Sequence, residues 1–271
     1  TMVMLSMSGY GASGPWSRYP AFASTFAQMS GIYHLSGYPD YLPTPLGGGG
    51  VDPINGIMGT VAVLVGLLHR QRTGQGQHVT LSMLDAMLQF LWSSDMGGQT
   101  FIGRPVPQRR ATAFNDLIYS TADGHMAVSV MTDAQWAGLT RALEQPDWLQ
   151  DPRFSNPALR DQNFDERVAL TQSVLDTNTN AHWLQRLDAE GVACAPVLTR
   201  GELIEHPQVR ASEVILHAEH PAAGALRQAR HAAQFGATPA SIRIPAPALG
   251  EHTEEILSEL GLEDAEIANL R

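Results

Sequence analysis

Runs of apolar and polar residues divide the chain into two differently patterned halves. Met2 to Met7 is an unbroken, nearly apolar run short enough for a buried strand, and His78 to Leu81 is a second one. Starting almost at residue 1, the first strand has no earlier element to pair with. Between the two lie helical patterns. Ser24 to about Met29 reads as a helix ending at Gly31. The next helix is marked more strongly: Asp52 suits its N-cap, Pro53 its first helical position, and Gly74 closes it after Arg70 and Arg72. Small residues at Gly56, Gly59, Ala62 and Gly66 would let other backbones approach this helix. Ser82 and Asp85 form a variant capping box that opens a helix through about Trp92.

A Pro/Arg linker, residues 104–110, separates this half from the next. Leu117 to Ser120 and His125 to Met131 read as a hairpin around Asp123-Gly124. Thr132 or Asp133 caps a helix through Leu143, and residues 161–176 and 180–190 form two amphipathic helices, the second ended by Gly191. Val192 to Leu198 is a strand broken by Pro196. Residues 201–212 begin as helix and then become loop. The tail is Pro-rich over 239–247 and ends in helices near 251–260 and 264–270.

Composition narrows the chemistry. The 271 residues are 44% hydrophobic and 16% charged, the balance of a folded globular protein rather than a disordered one. A net charge of -10 argues against a nucleic-acid partner. All 17 basic residues are Arg, which excludes a P-loop lysine or a lysine Schiff base and leaves Arg or backbone N–H groups for any phosphate. The single Cys194 excludes an internal disulfide framework and is compatible with a reducing cytoplasm. Neither a signal-peptide pattern nor a membrane span is read: the apolar run from Ile54 to Leu68 is shorter than the roughly 20 residues a bilayer needs, and is assigned to a buried core helix. Ten scattered His residues form no ligand-spaced cluster, so no metal is expected.

Several motifs carry two readings. Gly9-x-Gly11-x-x-Gly14 follows a strand and has the letters of a dinucleotide fingerprint. Pro15 and Pro20 prevent a continuous helix from starting there, so a Gly-rich turn is the better reading. Gly47 to Gly50, with Gly48 and Gly49 as candidate ligand contacts, is either a flap that approaches a ligand or a flexible connector. Arg109-Arg110 reads as a solvated linker rather than an anion clamp. Asp52 is either a helix cap or an acid/base carboxylate at a helix N-terminus.

Taken in order, several segments resemble the class III coenzyme A transferases of the CaiB/BaiF type. They are Ser8-Gly9-Tyr10-Gly11 with Gly14-Pro15, Asp52 to Gly56, and His69 through Gln77. Thr121 to His125, Asp151-Pro152-Arg153-Phe154, Pro247 to Glu255 and Leu260-Gly261-Leu262 complete the set. The resemblance implies an α/β fold with a large Rossmann-like domain, a smaller α+β domain, and two chains interlocked as a dimer. Residues 1–105 would then be part of the large domain, 111–205 the small domain, and 213–271 the return to the large one. The implied substrates are an acyl-CoA, a carboxylic acid and coenzyme A itself, handled in the cytoplasm without metal.

Two departures follow from the same resemblance. The family carries a long segment ahead of the strand at residue 2, with much of the sheet and most coenzyme A contacts. Its nucleophilic Asp stands in a Gly-Phe-Asp segment before a Ser-Gly; counting back from Ser30-Gly31, that segment is Ala21-Phe22-Ala23. Ala23 cannot attack an acyl-CoA thioester to form the mixed anhydride the family chemistry uses. The expectation is therefore a subunit that moves CoA together with a homologous catalytic partner, as a homodimer or heterodimer. The rivals are a CoA-binding scaffold and an acyl-CoA racemase or isomerase. For the racemase, Asp52 falls at one base, but the opposing His position is Phe22 and its supporting Glu falls near Thr132. Asp52 remains the residue expected to line an acyl site.

Overall fold

A computed structural model describes residues 2–33, 50–92, 99–103 and 118–270. Two compact units divide it, residues 1–195 and 196–271. In the first, β1 (Met4–Ser8) pairs in parallel with β2 (His78–Ser82), Met4 opposite His78 and Ser8 opposite Ser82. β1 thus finds its partner about 70 residues downstream of itself, a spacing that parallel pairing permits because it needs a crossover rather than a hairpin. Among the described residues, the helices α1 (Ala23–Ser30), α2 (Val51–Thr73) and α3 (Met83–Trp92) accompany the pair.

Close packing on β1 explains the glycines of α2. A Cβ at Gly59 would lie 2.7 Å from Met7 Cε, and one at Gly66 would lie 2.8 Å from Val3 Cγ1. Strand side chains, not another backbone, fill these notches, and nothing described lies within 4 Å of a Cβ at Gly56. At Gly76 the approach is by backbone: a Cβ there would sit 1.9 Å from the Met2 carbonyl oxygen. Phe26, Ala27, Ile32, Val51, Met87 and Leu91 form the apolar cluster where α1, α2 and α3 meet.

The expectation that α2 is a buried core helix is not met. It runs 23 residues, and only 22% of its most apolar window is buried. Ile57, Val61, Leu64, Val65 and Leu68 are all exposed. Their spacing of three and four residues puts them on one stripe, opposite the notches that receive β1. Length and apolarity alone would let this helix cross a bilayer, because it extends beyond the apolar run at both ends.

The second core of this unit is built over residues 118–196. β3 (Ile118–Thr121) and β4 (Gly124–Ser129) form the expected hairpin, and β5 (Ala193–Pro196) adds to β4. α4 (Asp133–Ala142) starts at Thr132, whose hydroxyl accepts from the Gln135 N–H at 3.2 Å while the Gln135 side chain accepts from the Thr132 N–H at 3.1 Å. α5 (Pro157–Gln162), α6 (Phe164–Leu175) and α7 (Asn180–Ala189) follow. Asn163 separates α5 from α6, so the helix expected over 161–176 is two. Trp136, Phe154, Leu175 and Leu187 are buried at the centre, and the Trp183 indole N–H donates to the Leu175 carbonyl at 2.8 Å.

Unit two contains α8 (Arg200–Glu205), α9 (Pro207–Ala211), α10 (Thr253–Glu259) and α11 (Asp264–Asn269). The loop expected in the later part of 201–212 is the helix α9, and beyond it, where no element was expected, an antiparallel hairpin stands: β6 (Ile215–His220) and β7 (Gly224–Ala229), Ile215 opposite Ala229. Its strands are rich in Ala, His and charged residues and lack a run of β-branched or aromatic side chains, so the usual strand signal is weak. The Gly124-like cue at Gly224, with φ 73°, marks its turn.

Candidate functional site

The segment joining β1 to α1 is the best-defined candidate. Gly9 begins it, and its carbonyl accepts from the Leu84 N–H at 3.0 Å, tying the loop to the first turn of α3. A Cβ at Gly9 would lie 2.2 Å from Ala21 Cβ, so the two ends of the loop touch at its base. Gly11 and Gly14 have φ of 89° and 94°, which only glycine adopts freely. Turns follow each other: Ser17 donates to the Gly14 carbonyl from both its N–H and its hydroxyl, and the Tyr19 N–H donates to the Trp16 carbonyl at 2.9 Å. The glycine letters therefore build a pinched loop, and α1 starts only at Ala23, well past Gly14.

Three rings of this loop stack. Tyr10 meets Trp16 edge-on with centroids 5.2 Å apart, and Trp16 lies nearly parallel to Tyr19 at 4.8 Å. No motif in the sequence marks this stack; the only signal is the spacing of Trp16 and Tyr19 across a turn.

α1 then starts without a carboxylate. Phe22 takes the extended N-cap conformation, and the Thr25 hydroxyl accepts from the Phe22 N–H at 3.1 Å and donates to its carbonyl at 2.8 Å. Ala23 is the first helical residue and packs, half-buried, against the cluster that includes Val51 and Met87. Its methyl group carries no lone pair, so this position can place a reactant but cannot attack one.

Asp52 requires a correction. Gly50, not Asp52, is the N-cap of α2, and Asp52 lies in the first turn. The reason is the first intrahelical bond, from the Ile54 N–H to the Gly50 carbonyl at 3.2 Å. The N–H groups of residues 51 to 53 have no intrahelical partner, so Pro53 can occupy the last of these positions and the helix gains two residues ahead of Asp52. The Asp52 side chain is exposed and caps no N–H among the described residues, where its contribution is charge at a helix N-terminus. Its neighbours Val51 and Ile54 reach the apolar cluster that Ala23 joins, which brings the starts of α1 and α2 together. Gly48 and Gly49 lie outside the described residues, as do Arg109 and Arg110.

Asn55 was missed by sequence reasoning. It is 1% exposed, its amide donates to the Val51 carbonyl at 2.9 Å, and its Oδ1 accepts from no donor among the described residues. A buried amide oxygen without a donor is costly, and this one lies one helical turn inside the start of α2. Of the positions a two-base racemase would need, only Asp52 carries a base: the opposing His position is Phe22, which caps α1, and its supporting Glu position is Thr132, which caps α4.

Ionisable groups whose surroundings shift them serve structural turns. Hydrogen bonds from Arg153 hold Asp151 below the usual carboxylate range, and the Thr199 hydroxyl and N–H do the same to Glu202 at the start of α8. Burial pushes the Cys194 thiol up, with Asp188 adding to the shift.

Comparison with known proteins places this geometry. The family described as CoA-transferase family III matches residues 1–253. Mouse succinyl-CoA:glutarate CoA-transferase is 26% identical over 263 residues, covering 96% of this chain and 60% of that protein. The beta subunit of the Chloroflexus aurantiacus succinyl-CoA–L-malate CoA-transferase is 29% identical over 280 residues, covering all of this chain and 68% of that one. This chain thus spans about three fifths of the length of its mouse relative. Among solved structures, a CaiB/BaiF family protein from Brucella suis superposes with a TM-score of 0.79 at 23% identity, over 96% of this chain and 68% of that one. A Mycobacterium tuberculosis protein gives 0.80 at 24% identity, over 93% and 68%. The fold is the α/β fold of these proteins.

Proposed function

Because the chain belongs to CoA-transferase family III, we propose that it works as a subunit moving CoA between an acyl-CoA and a carboxylic acid, with the nucleophilic carboxylate supplied by a homologous partner chain. The observation that carries this reading is Ala23 at the start of α1, in a frame otherwise suited to hold a side chain at a reacting centre. The substrates are acyl-CoA and a free acid. The chemistry needs no metal, because a carboxylate can be acylated by a thioester and deacylated by a thiolate without one.

Two surfaces support a role within a larger assembly. The parallel pair β1–β2 has no third strand among the described residues, and parallel sheets are stable when covered on both faces. The apolar stripe of α2 is open along its length. Contiguous apolar surface of this kind belongs to an interface. We assign that stripe to protein contact in a cytoplasmic dimer with that partner, rather than to lipid. Residues 1–105, 111–205 and 213–271 are then legs of a large domain, a small domain and a return to the large one, and Asp52 is placed at the edge of the acyl site.

The test mixes the purified chain with its candidate partner, a CoA donor such as succinyl-CoA, and a panel of acids. Transfer should appear in the mixture and not with this chain alone. Sustained transfer by the lone chain would defeat the proposal, and exchange of an α-proton with solvent in place of transfer would turn it toward a racemase.

A further inference from the structure

We infer that the Tyr10–Trp16–Tyr19 stack receives the hydrocarbon part of the acyl group, so that this chain selects acids bearing an aryl or similarly broad apolar group. The inference rests on the CoA-transfer reading and adds to it the class of acid.

Three observations carry it. The first is exposure. Trp16 is 43% and Tyr19 58% exposed although the two rings stack at 4.8 Å. Rings ordered against each other by successive turns yet left open to water form a preorganised apolar platform, whose ordering entropy is spent before a ligand arrives. The second is location. The loop is pinched where Gly9 meets Ala21, and Tyr10 packs against the same apolar cluster as Ala23, the residue that stands where the family resemblance puts a carboxylate. An acyl group held near Ala23 would have its distal end toward this loop, and the adjoining Phe22 is itself 76% exposed. The third is charge. Arg18 stands between Trp16 and Tyr19 in the sequence and is exposed, and no ion pair engages it among the described residues. An aromatic platform with an exposed Arg in the same loop matches an acid with a flat apolar body and an anionic group.

The other surfaces of this unit offer less. The α2 stripe is purely apolar and is used above as a protein contact. The groove by Leu184, Asp188 and Cys194 has one acidic side chain and no cation to meet an anionic substrate.

The experiment measures binding of 3-phenylpropanoate and succinate, each as the free acid and as the CoA thioester, to this chain assembled with its partner, by calorimetry. Wild type is compared with Trp16→Ala, Tyr19→Ser and Arg18→Gln, with circular dichroism as the check on folding. Wild type should bind the phenyl compounds more tightly than the succinyl ones. Trp16→Ala should weaken phenyl binding about tenfold and succinate binding less than about threefold, and Arg18→Gln should weaken both. Should Trp16→Ala unfold, Trp16→Phe keeps an aromatic face and Tyr19→Ser alone must then remove the preference. Equal binding of phenyl and succinyl thioesters by wild type would overturn this inference and leave the transfer reading standing. Failure to bind any acid or thioester would overturn both. A Trp16→Ala variant that changes only self-association would identify the stack as a contact between copies and refute the ligand reading.

Discussion

The contact between Gly9 and Ala21 fixes the base of the aromatic loop, and a double-mutant cycle can test it. Gly9→Ala would put a methyl carbon 2.2 Å from the methyl of Ala21, where two carbons prefer about 3.5–4.0 Å. No left-handed φ is required at Gly9, so the substitution probes space alone. The loop ends would have to part by more than an ångström, or the Gly9 carbonyl would lose its bond from the Leu84 N–H. Overpacking of this sort costs about 1–3 kcal/mol. Ala21→Gly alone removes one half-buried methyl and loosens the unfolded chain, together about 1 kcal/mol. In Gly9→Ala/Ala21→Gly a single methyl again faces a hydrogen, as in the wild type. The double variant should therefore be more stable than Gly9→Ala alone, with a coupling energy of about 1–2 kcal/mol. Urea titration reads this as a fall in midpoint of about 0.5–1.5 M for Gly9→Ala, for a slope of about 2 kcal/mol/M, and a recovery in the double variant. Additive effects of the two substitutions, or an unchanged midpoint for Gly9→Ala, would refute the pinched loop.

Two other expectations concern reactive groups. Ala23→Asp puts a carboxylate at the first helical position of α1, where the helix N-terminus favours it by about 0.3–1 kcal/mol, so stability should change by less than about 1 kcal/mol. In the assembled complex that variant should form an acyl or CoA adduct on the peptide containing residue 23, detectable by mass spectrometry; a folded variant with no adduct under turnover would place the reacting centre elsewhere. Cys194 should alkylate more slowly in the native chain than in the unfolded chain near pH 8, because burial favours its thiol over the thiolate. Its folded pKa is raised, so the associated stability is present below the ordinary thiol range and fades as pH rises through the folded value. Equal native and unfolded rates at that pH would contradict the burial.

Much of the frame could be read from local chemistry. The Ser82 hydroxyl accepts from the Asp85 N–H at 3.3 Å, Gly31 and Gly74 close their helices in the left-handed conformation, and Thr132 caps α4 as its sequence suggested. These features depend on neighbours within a turn, where residue type dictates geometry. Features set at long range were not legible. Asp52 looked like a cap because its type fits, but the first hydrogen bond of α2 forms at Ile54 and moves the cap to Gly50. The β6–β7 hairpin was missed because its stability comes from pairing and from Arg230, which donates to the Ser212 and Glu213 carbonyls, rather than from strand-forming side chains. The exposed stripe of α2 was missed because an apolar sequence does not state whether its apolar side is covered. The ring stack depends on turns at Gly14 and Trp16 that no periodicity encodes. Gly48 and Gly49, chosen from the same glycine run as the actual cap, lie outside the described residues.

An Ala in place of a carboxylate at residue 23, as the proposed function has it, is compatible with an intact frame because no described contact in that frame uses one. Thr25 closes the first turn of α1 on Phe22, the Gly9–Ala21 contact sets the loop, and Phe26 and Ala27 anchor the helix in the cluster with Met87. An Asp at a helix N-terminus contributes at most about 1 kcal/mol, a small part of a domain's stability, so removing it does not by itself threaten the fold. Chemistry and architecture are therefore separable at this site. A chain that no longer has to attack a thioester can still orient an acid, cover a partner's reacting centre and bury that partner's apolar surface. In such a chain the packing residues around position 23 remain under physical constraint while residue 23 itself does not. The expected pattern under random substitution follows from this: position 23 should accept Ser or Gly with little change in partner binding, whereas Phe26→Ala, which empties a fully buried ring site at about 3–5 kcal/mol, should abolish it.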